Sequence, residues 1–123
     1  MKTMLIVDDE TEICEFLKVF FEERGFQVHT ANSGKQAMEK VASLRPRIML
    51  LDIHMPGGDG LGVLKQVKAG YPETKVIMVT AIETNEKISE AMRLGADNFI
   101  TKPLSLEYLE KDVNEKIAQL AEN

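Results

Sequence analysis

Apolar residues are distributed along this chain in two alternating ways. Three short runs are apolar at every position: Met4-Leu5-Ile6-Val7, Ile48-Met49-Leu50-Leu51 and Val76-Ile77-Met78-Val79. Runs of that length bounded by polar and turn residues read as strands buried on both faces, as in a parallel sheet. Phe26–Ala31 alternates, which fits a less buried strand with His29 exposed on it, and Asn98–Thr101 is a short fifth candidate. Between the runs, apolar residues recur at helical spacing. The stripes are Ile13, Phe16, Leu17, Phe20 and Phe21; Ala37, Met38, Val41 and Leu44; Leu61, Val63, Leu64 and Val67; Ile88, Ala91, Met92 and Leu94; and, from about Ser105, Leu106, Leu109, Val113, Ile117 and Leu120. The first and last of these stripes are expected in the core, and the third supplies the apolar side of its helix. The last helix has an acidic outer face of Glu107, Glu110, Asp112 and Glu115, read as solvated.

Punctuation supports these limits. Asp9 stands three residues before Glu12, a variant capping box for the first helix. That helix should stop at Gly25, the second at Arg45-Pro46, the third by Gly70 and Pro72, and the fourth at Gly95. Strand-helix alternation of this kind predicts about five parallel strands in a single domain covering residues 1–123, with helices on both faces, because each parallel pair needs a right-handed crossover. Periodicity leaves the strand order open.

In a parallel sheet the carboxyl ends of the strands share one edge, where open α/β sheets place their ligands. Asp8 and Asp9 follow the first run, Asp52 closes the third strand, Thr80 ends the fourth and Lys102 follows the fifth. Asp52 opens into His54-Met55-Pro56-Gly57-Gly58, a stretch too rich in Pro and Gly to stay regular. Each residue type suits phosphoryl transfer. Carboxylates supply the oxygen ligands that Mg²⁺ prefers, and another carboxylate can act as nucleophile to form an acyl phosphate. A lysine and a hydroxyl can hold the oxygens on which charge gathers.

Composition narrows the partners. The 123 residues are 44% hydrophobic and 28% charged, as in ordinary globular domains, and the net charge of −5 argues against direct nucleic-acid binding. No apolar run approaches the ~20 residues of a membrane span, and a strand candidate starts directly after Met1-Lys2-Thr3, so a cytoplasmic protein without a signal peptide is expected. Cys14 is the single cysteine, which excludes an internal disulfide and a thiolate metal cluster.

The segments Val7-Asp8-Asp9-Glu10, Leu51-Asp52-Ile53-His54-Met55-Pro56, Val79-Thr80-Ala81 and Phe99-Ile100-Thr101-Lys102-Pro103 together resemble the receiver domain of two-component response regulators over the whole chain. The resemblance implies a flavodoxin-like, doubly wound α/β sheet of five parallel strands in the order 2-1-3-4-5 with five helices. It implies that Asp52 accepts a phosphoryl group from a sensor histidine kinase, with Mg²⁺ held by Asp9, Asp52 and the backbone carbonyl of His54, and by Asp8 through water. Lys102 would pair with the phosphoryl group, Thr80 would close on it, and Phe99 would be the aromatic whose rotamer follows. The Lys102-Pro103 bond would be cis. His54 and Ile82 occupy positions that tune how long the phosphoryl group lasts, with the His54 side chain partly exposed at the rim. A downstream output domain or protein and a phosphorylation-dependent dimer are the implied partners, read out through the fourth helix, fifth strand and fifth helix. The chain would catalyse only its own phosphorylation and dephosphorylation, either as a single-domain regulator or as the receiver of a longer one.

Other classes fit less well. An aspartyl-phosphate phosphatase of the haloacid dehalogenase type wants a second aspartate two residues after the nucleophile, where this chain has His54. A flavin carrier wants a hydroxyl- and glycine-rich loop after the first strand, where Asp8-Asp9-Glu10 would repel a phosphate. The sequence G-x-x-x-x-G-K-[ST] of P-loop nucleotidases does not occur.

Overall fold

The computed structural model describes residues 2–55, 58–81 and 85–122, with residues 58, 59, 85 and 122 described by their backbone alone. Pro56, Gly57 and Ile82, which carried expectations above, lie outside the described residues. Five strands are found where the apolar runs put them: β1 (Lys2–Val7), β2 (Phe26–Ala31), β3 (Ile48–Asp52), β4 (Lys75–Thr80) and β5 (Asn98–Thr101). All pair in parallel, in the order β2-β1-β3-β4-β5. This is the flavodoxin-like order, with the connection reversing direction between β1 and β3.

Helices α1 (Thr11–Glu22), α2 (Gly34–Leu44), α3 (Gly60–Gly70) and α4 (Asn85–Arg93) follow the first four strands. The last helix, α5, starts as Leu106–Tyr108, widens into a π-helical turn at Leu109–Val113 and continues as Asn114–Glu122. The continuously apolar strands divide their side chains between two cores. Leu5, Val7, Met49, Leu51, Val76 and Met78 pack with Ala37, Val41, Leu64, Val67 and Ala91 on one face. Met4, Ile6, Ile48, Leu50, Ile77 and Val79 pack with Leu17, Phe21, Leu109, Val113 and Ile117 on the other.

Helix ends follow local chemistry. Ser33 caps α2 by accepting from the Gln36 amide, and Ser105 caps α5 by accepting from Tyr108. Arg45 takes the left-handed conformation (φ 45°) that closes α2 ahead of Pro46. The capping-box reading of Asp9 is corrected: the N-cap of α1 is Glu10, and no side chain caps it. Instead the Glu10 amide donates to Asp8 Oδ1 at 2.9 Å, so the acidic cluster ties down the entry to α1 by a different route.

Three positions of the apolar stripes are also exposed. Phe16 is 46% exposed, and Met92 and Leu106 are likewise on the surface. On α1 the stripe is wider than the contact it makes; Leu17, Phe20 and Phe21 fill it, with Phe20 and Phe21 edge-to-face at 4.9 Å between centroids. On α5, Leu106 sits in the first turn next to the Ser105 cap, and burial begins only with Leu109 and Val113. Leu120 is half-buried, and so is His29. The stretch after Asp52 is also more regular than expected, since His54–Met55 and Gly58–Asp59 form a two-residue antiparallel ribbon.

The two phenylalanines test this division of α1. Phe21→Ala should destabilise the domain by about 3–5 kcal/mol, as for a fully buried aromatic, while Phe16→Ala should stay within about 0.5 kcal/mol. Urea unfolding of both variants measures the contrast, and equal losses would return Phe16 to the core.

Candidate phosphoryl-acceptor site

Backbone pairing continues past the ends of the strands and sets the site. The Asp8 amide donates to Ala31 O (3.1 Å), extending the β1–β2 ladder, and the Ile53 amide donates to Val79 O (3.0 Å), extending β3–β4 beyond Asp52. The Lys102 amide donates to Thr80 O (2.7 Å), extending β4–β5. Since β1 and β3 are neighbours with Val7 opposite Leu51, the residues that follow, Asp8 and Asp52, emerge side by side. Asp8 is 2% and Asp52 5% exposed, so two carboxylates are buried at one edge.

Lys102 reconciles them. Its Nζ lies 3.0 Å from Asp8 Oδ2 and 3.5 Å from Asp52 Oδ2, while Asp52 Oδ1 accepts from the His54 amide at 3.2 Å. Burial and then the nearby charge of Asp8 push the Asp52 carboxyl above the usual carboxylate range, against the pull of Lys102. For Lys102, burial works against the charged form. The hydrogen bond to Asp8 and the charges of Asp52, Asp8 and Glu10 outweigh it, and the ammonium is held above its ordinary value. The Lys102-Pro103 peptide bond is cis.

Asp9 and Glu10 are exposed beside this pair, and the Asp8, Asp9 and Glu10 carboxylates bring oxygens within 4.8 Å of one another. Hard oxygen donors clustered at that spacing fit a divalent cation such as Mg²⁺. Thr80 is fully buried, and its hydroxyl donates to the adjacent Ala81 carbonyl at 2.8 Å. His54 has an exposed side chain at the rim, and Phe99 is half-buried on β5. Cys14, at the start of α1, donates its thiol to Asp8 O at 3.4 Å; burial and then Asp8 push its pKa up to about 11, so it stays a protonated packing group.

One positioning residue was not singled out from the sequence. Gly60 opens α3 with its Cα against the back of β3, and a Cβ there would lie 2.1 Å from the Asp52 carbonyl oxygen and 2.9 Å from Ile53 Cα. Its amide also donates to Ile53 O at 2.6 Å. Only glycine lets α3 begin this close to Asp52. The signal in the sequence was one more glycine in a loop already rich in them.

An open, doubly wound sheet carrying acids, a hydroxyl and a lysine at its carboxyl edge defines a phosphoryl-acceptor class of α/β domain. The response regulator receiver domain model matches residues 4–114, and the chain belongs to that family. It is 39% identical over 106 residues to the regulatory protein AtoC of Escherichia coli strain K12, covering 86% of this chain and 23% of that protein. It is 34% identical over 115 residues to the transcriptional regulatory protein ZraR of the same organism, covering 94% of this chain and 26% of ZraR. The chain thus spans about a quarter of the length of these curated relatives. Among solved structures, a CheY-like receiver domain protein from Methanospirillum hungatei JF-1 superposes with a TM-score of 0.89 at 30% identity, covering 99% of this chain and 98% of that one. Membership places the chain in two-component phosphorelay signalling, in a family of phosphoryl acceptors that generally uses Mg²⁺. Among the described residues, no helix is long and apolar enough to cross a membrane.

The electrostatics predict how stability depends on pH. Because the Asp52 pKa is raised in the fold, its ionised form is the disfavoured one. The penalty is absent below the ordinary carboxylate value, grows between that value and the raised one, and is complete above it. In chelator at neutral pH, Asp52→Asn should therefore melt higher, by roughly 4 °C for a change of about 1 kcal/mol in a domain of this size. Lys102 keeps Asp8 as its partner in the variant. The gain should shrink as pH falls through the raised value, and a gain independent of pH would refute this account.

Proposed function

We propose that Asp52 accepts a phosphoryl group from a phosphohistidine of a sensor histidine kinase, in a Mg²⁺-dependent reaction. The observation that carries the reading is the single ammonium of Lys102 shared by two buried carboxylates, 3.0 Å from Asp8 and 3.5 Å from Asp52. Such an ammonium is set to exchange a carboxylate partner for a phosphoryl oxygen. A carboxylate oxygen of Asp52 bonds to phosphorus as the donor's phosphorus–nitrogen bond breaks, and that bonding pair stays on the imidazole nitrogen. Lys102 holds an oxygen of the transferring group, and the Thr80 hydroxyl leaves the Ala81 carbonyl for another. Asp9, Asp52 and the His54 carbonyl would hold the cation, with Asp8 through water. When bound, it neutralises charge that would otherwise keep a phosphoryl group away from these acids.

Specificity for the donor has a place to reside. Beside Lys102, an apolar groove of about 660 Å³ is lined by Ile13, Phe16, Ala81, Pro103 and Leu104. A donor helix seated there would bring its phosphohistidine to the acceptor, which gives the exposed Phe16 a use. The response to phosphorylation would pass to the face made by α4, β5 and α5, and from there to an output domain or protein and to pairing of two copies. The greater length of the relatives, one of them named a transcriptional regulator, supports an output beyond this domain. The protein would act in the cytoplasm and turn over no substrate but its own acyl phosphate.

Two experiments test the reading. With acetyl phosphate and Mg²⁺, intact mass should show one added phosphoryl group on the wild type and none on Asp52→Asn; uptake by the variant at the wild-type level would overturn the acceptor assignment. Phe16→Asp should slow transfer from the cognate phosphorylated kinase at least about tenfold, the effect of losing ~1.4 kcal/mol at an interface. Its labelling by acetyl phosphate should be unchanged, and equal slowing with both donors would remove the groove from kinase recognition.

A further inference from the structure

β5 is the outermost strand on its side of the sheet, and its outer backbone groups are sealed by side chains. The Phe99 amide donates to Asn98 Oδ1 (2.8 Å), and the Thr101 amide donates to the Tyr108 hydroxyl (3.1 Å). The Phe99 carbonyl accepts from Lys116 Nζ at 3.2 Å. Covering a free edge with polar side chains and a lysine is a common guard against strand addition. Lys116 does something more, because the same ammonium sits 5.6 Å from the centroid of the Phe99 ring.

Its position in the layers gives that second contact a consequence. α5 packs through Leu109, Val113 and Ile117 into one core, whereas Phe99 packs at the margin of the other, with Met78, Ala91 and Ala96. Lys116 therefore reaches round the sheet edge from one layer to the other. In the β4–β5 register Met78 is opposite Phe99 and Thr80 is opposite Thr101, so Phe99 and Thr80 face the same side as diagonal neighbours. We propose that Lys116 is a positioning residue that holds Phe99 in its present rotamer and, through it, opposes the movement of Thr80 toward a phosphoryl group. The proposal rests on the reading of Thr80 and Phe99 given above.

A residue can bias a two-state equilibrium only if it interacts differently with the two states. The carbonyl contact alone would not qualify, since it survives rotation of the ring. The cation–ring contact does qualify, since it is lost when the ring turns away. Lys116 thereby makes the resting arrangement of Phe99 the favoured one, and it places the control on α5, outside the acceptor cleft.

The test uses the full chain, with Lys116→Met keeping the apolar stem and Lys116→Arg keeping the charge and the donor. Lys116→Met should bind beryllofluoride with Mg²⁺ roughly two- to fivefold more tightly than the wild type, the ratio expected when a half-exposed cation–ring contact is removed from the resting state. Lys116→Arg should bind nearly as the wild type does. In ligand-free protein, the Phe99 ring resonances should shift in the Met variant and hold in the Arg variant. Unchanged affinity in Lys116→Met, or identical behaviour of the two variants, would overturn the proposal. If the wild type takes up no beryllofluoride, the acceptor reading fails by itself, and Phe99 resonances that do not move in Lys116→Met then overturn this one separately.

Discussion

Two carboxylates that repel each other are fixed side by side at the end of neighbouring strands, and one lysine holds them. Asp8 and Asp52 cannot separate, because each is anchored by main-chain pairing that continues the β1–β2 and β3–β4 ladders past their last residues. Both are almost fully buried, so water screens little of the repulsion between them. Lys102 arrives on a third ladder, through its amide bond to Thr80 O. The site is therefore an outcome of sheet topology: order β2-β1-β3-β4-β5 makes β1 and β3 adjacent, and no nearer placement of the lysine is needed.

Such an arrangement is unfavourable by itself and requires a stable frame. The frame is the pair of cores on either side of β1, β3 and β4, whose residues from Met4 to Val7, Ile48 to Leu51 and Val76 to Val79 are essentially inaccessible. Away from the edge that holds Asp8 and Asp52, Asp97 performs the opposite electrostatic role. Its Oδ2 accepts from Lys68 Nζ and from the Val76 amide, both at 2.8 Å, and Lys68 also donates to Thr74 O. That charge is fully partnered and fastens the start of β4 to the turn before β5. One end of the sheet is electrostatically satisfied, and the other is left with more acid than base.

Much of this was legible in the sequence, for definite reasons. Strands buried on both faces leave unbroken apolar runs, so β1, β3 and β4 were readable, and the polar residue after each run marked the site edge. The acids, Thr80 and Lys102 were found because they stood at those ends. What escaped was whatever depends on distance across the fold. Phe16 carries the same periodic signal as Phe20, yet among the described residues no element covers it. Leu106 lies in the right stripe, yet it sits in the first turn of α5, before the helix reaches the core at Leu109. Gly60 looks like any loop glycine until the 2.1 Å approach of a Cβ to the Asp52 carbonyl is measured. Lys116 reads as one more solvated charge on an acidic helix.

Two of these unforeseen features, Phe16 and Lys116, lie outside the acidic cluster, where the proposals above would give them control over approach to the site and release from it. The Thr80 hydroxyl shows why that division is workable. It is fully buried and already satisfied by the Ala81 carbonyl at 2.8 Å, so the resting state leaves no orphaned polar group. The proposed move to a phosphoryl oxygen would exchange one hydrogen bond for another, with a small net difference. A switch built on that exchange would be sensitive to contacts of a fraction of a kcal/mol to about 1 kcal/mol, the scale of one cation–ring contact at a sheet edge. In the proposed mechanism the strongly charged cluster of Asp8, Asp52 and Lys102 would carry the chemistry, while weak contacts on β5 and α5 would set the threshold at which the domain responds.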